Sequence, residues 1–160
     1  MSWDQYVTSK LVNSDFKGHK WENICESGAL LDVNAGTPWT KGFNMGKIKV
    51  KSDGKDVEVD QAGNLIDAFK QPDGNTKKPG GIYLNGVKYV VTNFDSGEGI
   101  MYLKKQGGGA SIAKTGKALV VATWAQAKKG KKDGKETAQN PGDCSCVVED
   151  LAAYLKSINY

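Results

Sequence analysis

The chain has 160 residues, which is enough for one domain with a single core and leaves no room for a separate catalytic domain. Its formal net charge is +4 and all 22 of its basic residues are lysine, so it has no guanidinium groups for bidentate capture of phosphates or base edges. These features favour diffuse electrostatic attraction over sequence-specific nucleic-acid recognition, and we expect no nucleic-acid partner. No apolar run is long enough to span a bilayer and the first residues do not read as a secretion signal, so we expect a cytosolic protein with one domain over 1–160.

The first elements predicted along the chain are a helix and two hairpins. Ser2 can cap a helix whose aromatic side chains Trp3 and Tyr6 lie on one face. Residues 21–25 and 29–33 read as two short strands joined across a Glu-Ser-Gly turn. The clearest hairpin signal follows at 47–59, where lysines and acidic residues alternate with apolar residues about a Ser-Asp-Gly turn.

A middle helix and a run of strands come next. The spacing of apolar residues predicts a helix over 61–70, ended by a Pro-Asp-Gly sequence. Five β-rich segments separated by glycine-containing turns then predict a meander; they are 82–84, 87–92, 100–104, 111–113 and 118–124. The last of these is apolar over 118–122, as expected for a strand covered on both faces.

The segment 125–139 is predicted to be a loop. Its tract 128–135 contains lysine and glycine with no apolar anchor, which favours a solvated loop. The alternative is a cationic loop that meets an acidic protein surface or an anionic lipid.

The chain closes with a second amphipathic helix. Asp143 can cap it, and its apolar stripe comprises Val147, Val148, Leu151, Tyr154, Leu155 and Ile158. Each terminal helix has one apolar stripe, so both can pack on one face of an antiparallel sheet with the middle helix on the other. We therefore predict an α+β fold of three layers.

Catalytic groups are not marked in the sequence. His19, the one histidine, lies between glycine and lysine in a polar stretch, which favours a surface position. The three cysteines are too few for a zinc site without further ligands and fit buried or half-buried reduced thiols. We expect a binding protein rather than an enzyme, with no cofactor and no metal.

The aromatic residues at the two ends allow two interpretations. Trp3, Tyr6, Tyr154 and Tyr160 can form a shallow trough between adjacent terminal helices, suited to a polyproline II ligand. They can also be core residues, and the residues alone favour that interpretation.

These ends, together with the central Gly-Ile-Tyr-Leu-Asn-Gly-Val-Lys-Tyr segment at 81–89, resemble the profilin family over the whole chain. The resemblance implies a three-layer profilin-like fold and a monomer that binds monomeric actin. It also implies binding of proline-rich proteins such as formins and, in many members, phosphoinositides. The 47–59 hairpin resembles protist members of the family.

The resemblance also implies two sets of binding residues. Those for proline-rich ligands are Trp3, Tyr6, Leu31, Tyr154, Leu155 and Tyr160. The family commonly has a tryptophan at the position assigned to Leu31, and Trp39 nearby could replace that ring. Those for actin are Lys88, Val91, Lys104, Lys105, Asn140, Gly142, Ser145 and Asp150.

Three hypotheses follow from the resemblance. The first is a regulator of actin monomers, the second an adaptor for proline-rich ligands with weak or no actin affinity, and the third a phosphoinositide-binding module. The lysine tract 128–135 precedes the last helix and leads into it beside the inferred actin contacts. There it can attract actin electrostatically or obstruct its docking.

Overall fold

The computed structural model describes residues 2–160, and it begins with a capped helix. In α1 (Trp3–Tyr6), the Ser2 hydroxyl accepts a hydrogen bond from the Gln5 backbone and the Gln5 side chain accepts one from the Ser2 backbone. This reciprocal capping satisfies two N–H groups that the first helical turn leaves free. The helix continues as a π-helical segment (Val7–Val12). The predicted Ser2 cap is confirmed.

Eleven strands and two longer helices follow in the described part of the chain. The strands are β1 (Trp21–Glu22), β2 (Ser27–Asp32), β3 (Lys47–Ser52), β4 (Lys55–Asp60), β5 (Ile82–Leu84), β6 (Val87–Asp95), β7 (Ile100–Lys105), β8 (Gly108–Lys114), β9 (Ala118–Ala125), β10 (Lys129–Lys132) and β11 (Lys135–Ala138). The helices are α2 (Gln61–Lys70) and α3 (Pro141–Ser157).

A six-stranded antiparallel sheet, in the order β2-β9-β8-β7-β6-β5, forms the centre of the molecule. Successive residues of a strand point to opposite faces, so each strand contributes to two cores. Leu31 and Val121 pack beneath α2, whereas Leu30 and Val120 pack beneath the terminal helices. The predicted three-layer arrangement is confirmed. Within residues 2–160, no helix has the length and apolar character needed to cross a membrane.

The two elements predicted from local patterns have the expected form. β3 and β4 pair as an antiparallel hairpin about Asp53 and Gly54, both of which have positive φ angles. A two-residue turn with two such angles matches the twist of the paired strands. α2 follows directly, and the Asp60 carboxylate caps it by accepting a hydrogen bond of 3.1 Å from the Gly63 backbone.

The predicted hairpin between 21–25 and 29–33 is wrong. β1 pairs instead with β10, opposing Trp21 to Lys132, and β2 pairs with β9. The apolar residues Ile24 and Cys25 that suggested a strand are buried beneath the terminal helices instead. These two side chains are therefore buried by the terminal helices, and the strand pairing that the local pattern indicated is not needed to bury them.

The prediction of a solvated loop over 125–139 is also wrong, because β10 and β11 form a hairpin that completes a three-stranded sheet with β1. Gly130 lies against the backbone carbonyls of Glu22 and Asn23, where a Cβ atom would collide with both oxygens. The hairpin therefore packs closely on β1. We call residues 128–135 within it the lysine tract.

The cap of α3 differs from the prediction. The Asn140 side chain, and not that of Asp143, accepts the hydrogen bond from the first turn, at 2.9 Å from the Asp143 backbone nitrogen. The Asp143 carboxylate is 2.7 Å from the Lys132 ammonium, and Asp143 is only 8% exposed. This ion pair fastens the lysine tract to the beginning of α3.

Candidate functional site

Five rings lie together across the two terminal helices; they are Trp3, Tyr6, Trp39, Tyr154 and Tyr160. We call this group the aromatic surface. The Trp3 ring is central, with its centroid 5.7 Å from that of Tyr6, 5.0 Å from Trp39 and 5.2 Å from Tyr160. Tyr154 extends the group, its ring centroid being 6.1 Å from that of Tyr6. These separations are typical of interacting aromatic side chains.

Trp39 reaches this surface because the chain after β2 folds back along that strand. The Trp39 backbone donates a hydrogen bond of 2.8 Å to the carbonyl of Leu30. The Lys41 backbone then donates one of 2.8 Å to the Asp4 carboxylate, which ties the returning segment to α1. Trp39 is thereby placed beside Trp3.

Tyr160 is held by the turn between β8 and β9. Its carbonyl oxygen accepts hydrogen bonds from the Lys117 backbone and from the Thr115 hydroxyl, the latter at 2.7 Å. The Lys117 ammonium lies 4.7 Å from the centroid of the Tyr160 ring. The ring is thus fixed next to Trp3 and Trp39 by contacts from both backbone and side chain.

The aromatic surface is accessible rather than part of the interior. Trp3, Trp39 and Tyr160 line an open cavity of about 370 Å³, and Tyr154 is 47% exposed. A hydrogen bond with Tyr154, together with partial burial, raises the pKa of Tyr6 above its usual value. The Tyr6 phenol therefore keeps its proton and can take part in hydrogen bonds at this surface.

Two residues assigned to the same site do not belong to its surface. Leu31 is completely buried and faces α2, on the opposite side of the sheet from Trp3. The prediction that Leu31 forms a wall of the groove is therefore wrong, and Trp39 supplies the ring instead. Leu155 is also completely buried, on the side of α3 that faces the sheet, so it packs in the core under the aromatic surface and is not part of that surface.

A second candidate surface lies where the terminal helices leave the sheet uncovered. Val90 in β6 is 58% exposed and pairs with Lys104 in β7, and Lys88 lies two positions earlier on the same face. We call these three residues the sheet surface. An exposed valine between two lysines gives a contact area that is apolar at the centre and cationic at the rim.

The beginning of α3 borders this region. The Tyr102 hydroxyl donates a hydrogen bond of 3.4 Å to the Glu149 carboxylate, joining β7 to α3. Burial, followed by the nearby charge of Glu149, raises the pKa of Tyr102. Ser145 lies one turn before Glu149 and so shares that side of the helix. Gly142 and Asp150 are exposed nearby on α3.

Three of the residues assigned to actin have other positions. Val91 pairs with Leu103 and packs on the core beneath α2, so it faces away from Val90. Lys105 lies on that same face, with its ammonium 5.9 Å from the centroid of the Tyr89 ring. The Asn140 side chain is occupied in capping α3.

Val90 was missed in the sequence analysis, although a signal was present. Side chains alternate between the two faces along a strand, so the exposure of Lys88 predicts that Val90 faces the same way. A bulge in β6 between Val91 and Asn93 changes the alternation of side chains after Val91. The sequence pattern alone does not show where this bulge lies.

The lysine tract adjoins the beginning of α3 and carries both paired and unpaired charges. Three of its lysines form ion pairs: Lys128 with Glu26, Lys129 with Glu136 and Lys132 with Asp143. Lys131 and Lys135 have no ion pair within residues 2–160. At the turn of the hairpin, the Asp133 carboxylate lies 2.7 Å from a ring nitrogen of the exposed His19. The predicted surface position of His19 is confirmed.

The cysteines are buried as expected. Cys25 and Cys144 are completely buried between the sheet and α3, and Cys146 is half-buried. A hydrogen bond with Cys144, together with burial, raises the pKa of the Cys25 thiol. Burial also raises the pKa of the Cys146 thiol, so Cys25 and Cys146 are poor nucleophiles.

Comparisons with known proteins agree with this geometry. The profilin family model matches residues 1–160. A profilin of Tetrahymena pyriformis is 33% identical over 162 residues, which cover 99% of this chain and 98% of that protein. Profilin IB of Acanthamoeba castellanii superposes with a TM-score of 0.64 at 27% identity, covering 99% of this chain and 100% of that one. Profilin of Schizosaccharomyces pombe gives a TM-score of 0.63 with the same coverage, and its 21% identity supports the fold alone.

Proposed function

Because this chain belongs to the profilin family, we propose that it binds monomeric actin through the sheet surface and proline-rich ligands through the aromatic surface. Profilins in general are non-enzymatic proteins that bind actin and regulate its assembly.

The five adjoining rings of the aromatic surface are the observation that supports binding of proline-rich ligands. A polyproline II helix is already extended, so it loses little conformational entropy when it docks on a flat aromatic wall. The indole N–H groups of Trp3 and Trp39 and the phenol of Tyr154 can donate hydrogen bonds to carbonyls of such a ligand. Trp3 and Trp39 together provide the flat contact area that Leu31 does not.

For actin, the support is the exposed Val90 between Lys88 and Lys104. Interfaces commonly combine an apolar centre with a polar rim, and the cationic rim complements the acidic surface of actin. Tyr102 and Ser145 extend the same region towards α3. The aromatic surface contains none of these residues, so we expect both ligands to bind at the same time.

A reciprocal pair of variants tests the two assignments. Val90→Asp places a negative charge at the centre of the sheet surface, and we expect it to abolish binding to monomeric actin while leaving proline-peptide affinity unchanged. Trp3→Ala removes the central ring of the aromatic surface, and we expect the opposite result. Actin binding is measured from the inhibition of polymerisation, and peptide binding from the change in tryptophan fluorescence.

Each variant serves as the folding control for the other, because each must retain one activity. Loss of both activities in either variant would indicate unfolding rather than a lost contact. If the unmodified protein binds the proline peptide but not actin, the adaptor hypothesis replaces the proposal. If it binds neither but associates with vesicles containing phosphoinositides, the third hypothesis does.

A further inference from the structure

A cavity of about 260 Å³ lies between the C-terminal half of α2 and the turn that joins β8 to β9. Val33, Ile66, Phe69 and Leu119 form its apolar lining. It lies on the α2 side of the sheet, whereas the aromatic surface lies on the side of the terminal helices. We call it the α2 cavity.

Hydrogen-bond donors surround the mouth of the α2 cavity. Lys70 and Lys114 are both exposed lining residues, and neither ammonium has an ion pair within residues 2–160. The other polar lining residues are Asn34 and Gly116, and the Gly116 backbone N–H has no hydrogen-bond partner in the described chain. The cavity thus has charged and polar hydrogen-bond donors at its mouth and apolar side chains in its interior.

The acidic residues next in sequence to this lining are already occupied. The Asp67 carboxylate accepts hydrogen bonds from the Thr76 hydroxyl at 2.7 Å and from the Lys77 backbone at 2.9 Å. The Asp32 carboxylate accepts two from the backbones of Asn34 and Ala35. Neither acid pairs with Lys70 or Lys114. The Tyr160 oxygen next to Gly116 is itself occupied, because it accepts hydrogen bonds from the Lys117 backbone and the Thr115 hydroxyl. The two ammonium groups at the mouth are therefore left for a ligand.

We propose that the α2 cavity binds a small monocarboxylic acid with an apolar body, such as a medium-chain fatty acid. A dry cavity of 150 Å³ holds benzene, so this volume has room for roughly eight carbon atoms. The two lysines and the Gly116 N–H hold the carboxylate. Lys70 belongs to the last turn of α2, where the helix carries partial negative charge, so a single negative charge fits better than a phosphate.

The test uses the full chain labelled with nitrogen-15 and titrated with octanoate. We expect saturable shifts of the backbone signals of Phe69, Lys114 and Gly116, with a Kd of about 1 mM or tighter for a ligand of this size. Octanol has the same apolar body without the charge, and inorganic phosphate has charge without the body. Both are expected to bind at least about fivefold more weakly.

Paired lysine variants distinguish this site from general attraction to a positively charged protein. Lys70→Gln with Lys114→Gln is expected to weaken octanoate binding by about fivefold to tenfold, since two exposed charge pairs of modest strength are lost. Lys49→Gln with Lys55→Gln removes the same charge from the β3–β4 hairpin and should leave the affinity unchanged.

Several results would overturn the proposal. They are the absence of saturable shifts up to about 10 mM octanoate, shifts confined to Trp3 and Trp39, and equal weakening by the two lysine pairs. Phosphate binding as tight as octanoate, without a shift at Phe69, would overturn it too, because the cavity would then be a simple anion site. None of these outcomes depends on actin or proline-rich ligands.

Discussion

Leu31 and Trp39 lie close together in the sequence but on different sides of the sheet. Leu31 is in β2 and contributes a completely buried side chain to the core beneath α2. Trp39 follows a reversal of the chain and reaches the aromatic surface. Leu31 therefore stabilises the fold, whereas Trp39 is available to contact a ligand.

Trp39→Ala is expected to weaken proline-peptide binding by about 1–2 kcal/mol, since aromatic residues near the centre of an interface contribute most of its energy. Leu31→Ala is the matched variant: it should lower the free energy of unfolding by about 2–5 kcal/mol and leave the peptide affinity of the folded protein unchanged. Urea unfolding and fluorescence titration measure the two effects. A large affinity loss in Leu31→Ala with no loss in Trp39→Ala would contradict this assignment.

Leu31→Trp should not create a better groove. The side chain points into a filled core, so the larger ring would overpack it and cost about 1–3 kcal/mol of unfolding free energy. The same urea experiment measures this loss. A variant that is fully stable and binds the proline peptide more tightly would place Leu31 in the groove after all.

Tyr89 gives an alkaline dependence of stability. Burial raises the pKa of this 4%-exposed phenol to about 12, from about 10 in the unfolded chain. Its contribution is complete below pH 10 and is lost as the pH rises through 12, because the unfolded state releases the proton first. Urea unfolding of Tyr89→Phe should therefore show a smaller loss of stability between pH 10 and 12 than the unmodified protein. Equal losses in both proteins would mean that lysines account for the whole effect.

The strands and helices that could be predicted are those whose determining residues lie close together in the sequence. The β3–β4 hairpin and α2 follow from neighbouring residues, through the Asp53–Gly54 turn and the Asp60 cap, and both were predicted. β1 instead pairs with β10, far along the chain, and the lysine tract has no apolar pattern of its own. β10 and β11 nevertheless pair locally about Asp133 and Gly134, which both have positive φ angles, so a turn signal like that of Asp53–Gly54 was present and was missed. Only the pairing of β10 with β1 lies outside any local window.

Gly130 tests whether β1 holds the lysine tract in place. Because a Cβ atom there would meet the carbonyls of Glu22 and Asn23, Gly130→Ala is expected to lower the free energy of unfolding by about 1–3 kcal/mol. Gly97→Ala is the control, since its Cβ would meet only the Asp95 side chain at 3.4 Å. Thermal or urea unfolding compares the two. Equal unfolding free energies of the two variants would mean that the β10–β11 hairpin can shift away from β1 without loss of stability.

The three layers of the molecule could be predicted because each helix has one apolar stripe and the sheet has two apolar faces. The candidate surfaces could be predicted only in part. Trp3 and Tyr6 follow from helical spacing, but the place of Trp39 depends on the returning segment after β2. The separation of Val90 from Val91 depends on which face of the sheet the helices leave open, and that is a property of the assembled layers.

The distribution of charge over the molecule leads to the last prediction. Lys131 and Lys135 are the two lysines of the tract that have no ion pair in the part of the chain that the structure describes. The ion pair of Lys132 with Asp143 holds the tract beside the beginning of α3. Replacing both with serine should slow association with actin about two- to fivefold at low salt and less at physiological salt, where exposed charges are screened over about 8 Å.

The control for this experiment is Lys49→Ser with Lys55→Ser, which changes the net charge equally on the β3–β4 hairpin. Stopped-flow mixing with labelled actin gives the association rates of all three proteins. Equal slowing by both pairs would assign the effect to net charge alone, and faster association after loss of Lys131 and Lys135 would show that the tract obstructs actin. Selective slowing is expected because the ion pair of Lys132 with Asp143 holds the tract beside the beginning of α3, which borders the surface that we assign to actin. Charges near a docking surface steer association more strongly than charges elsewhere.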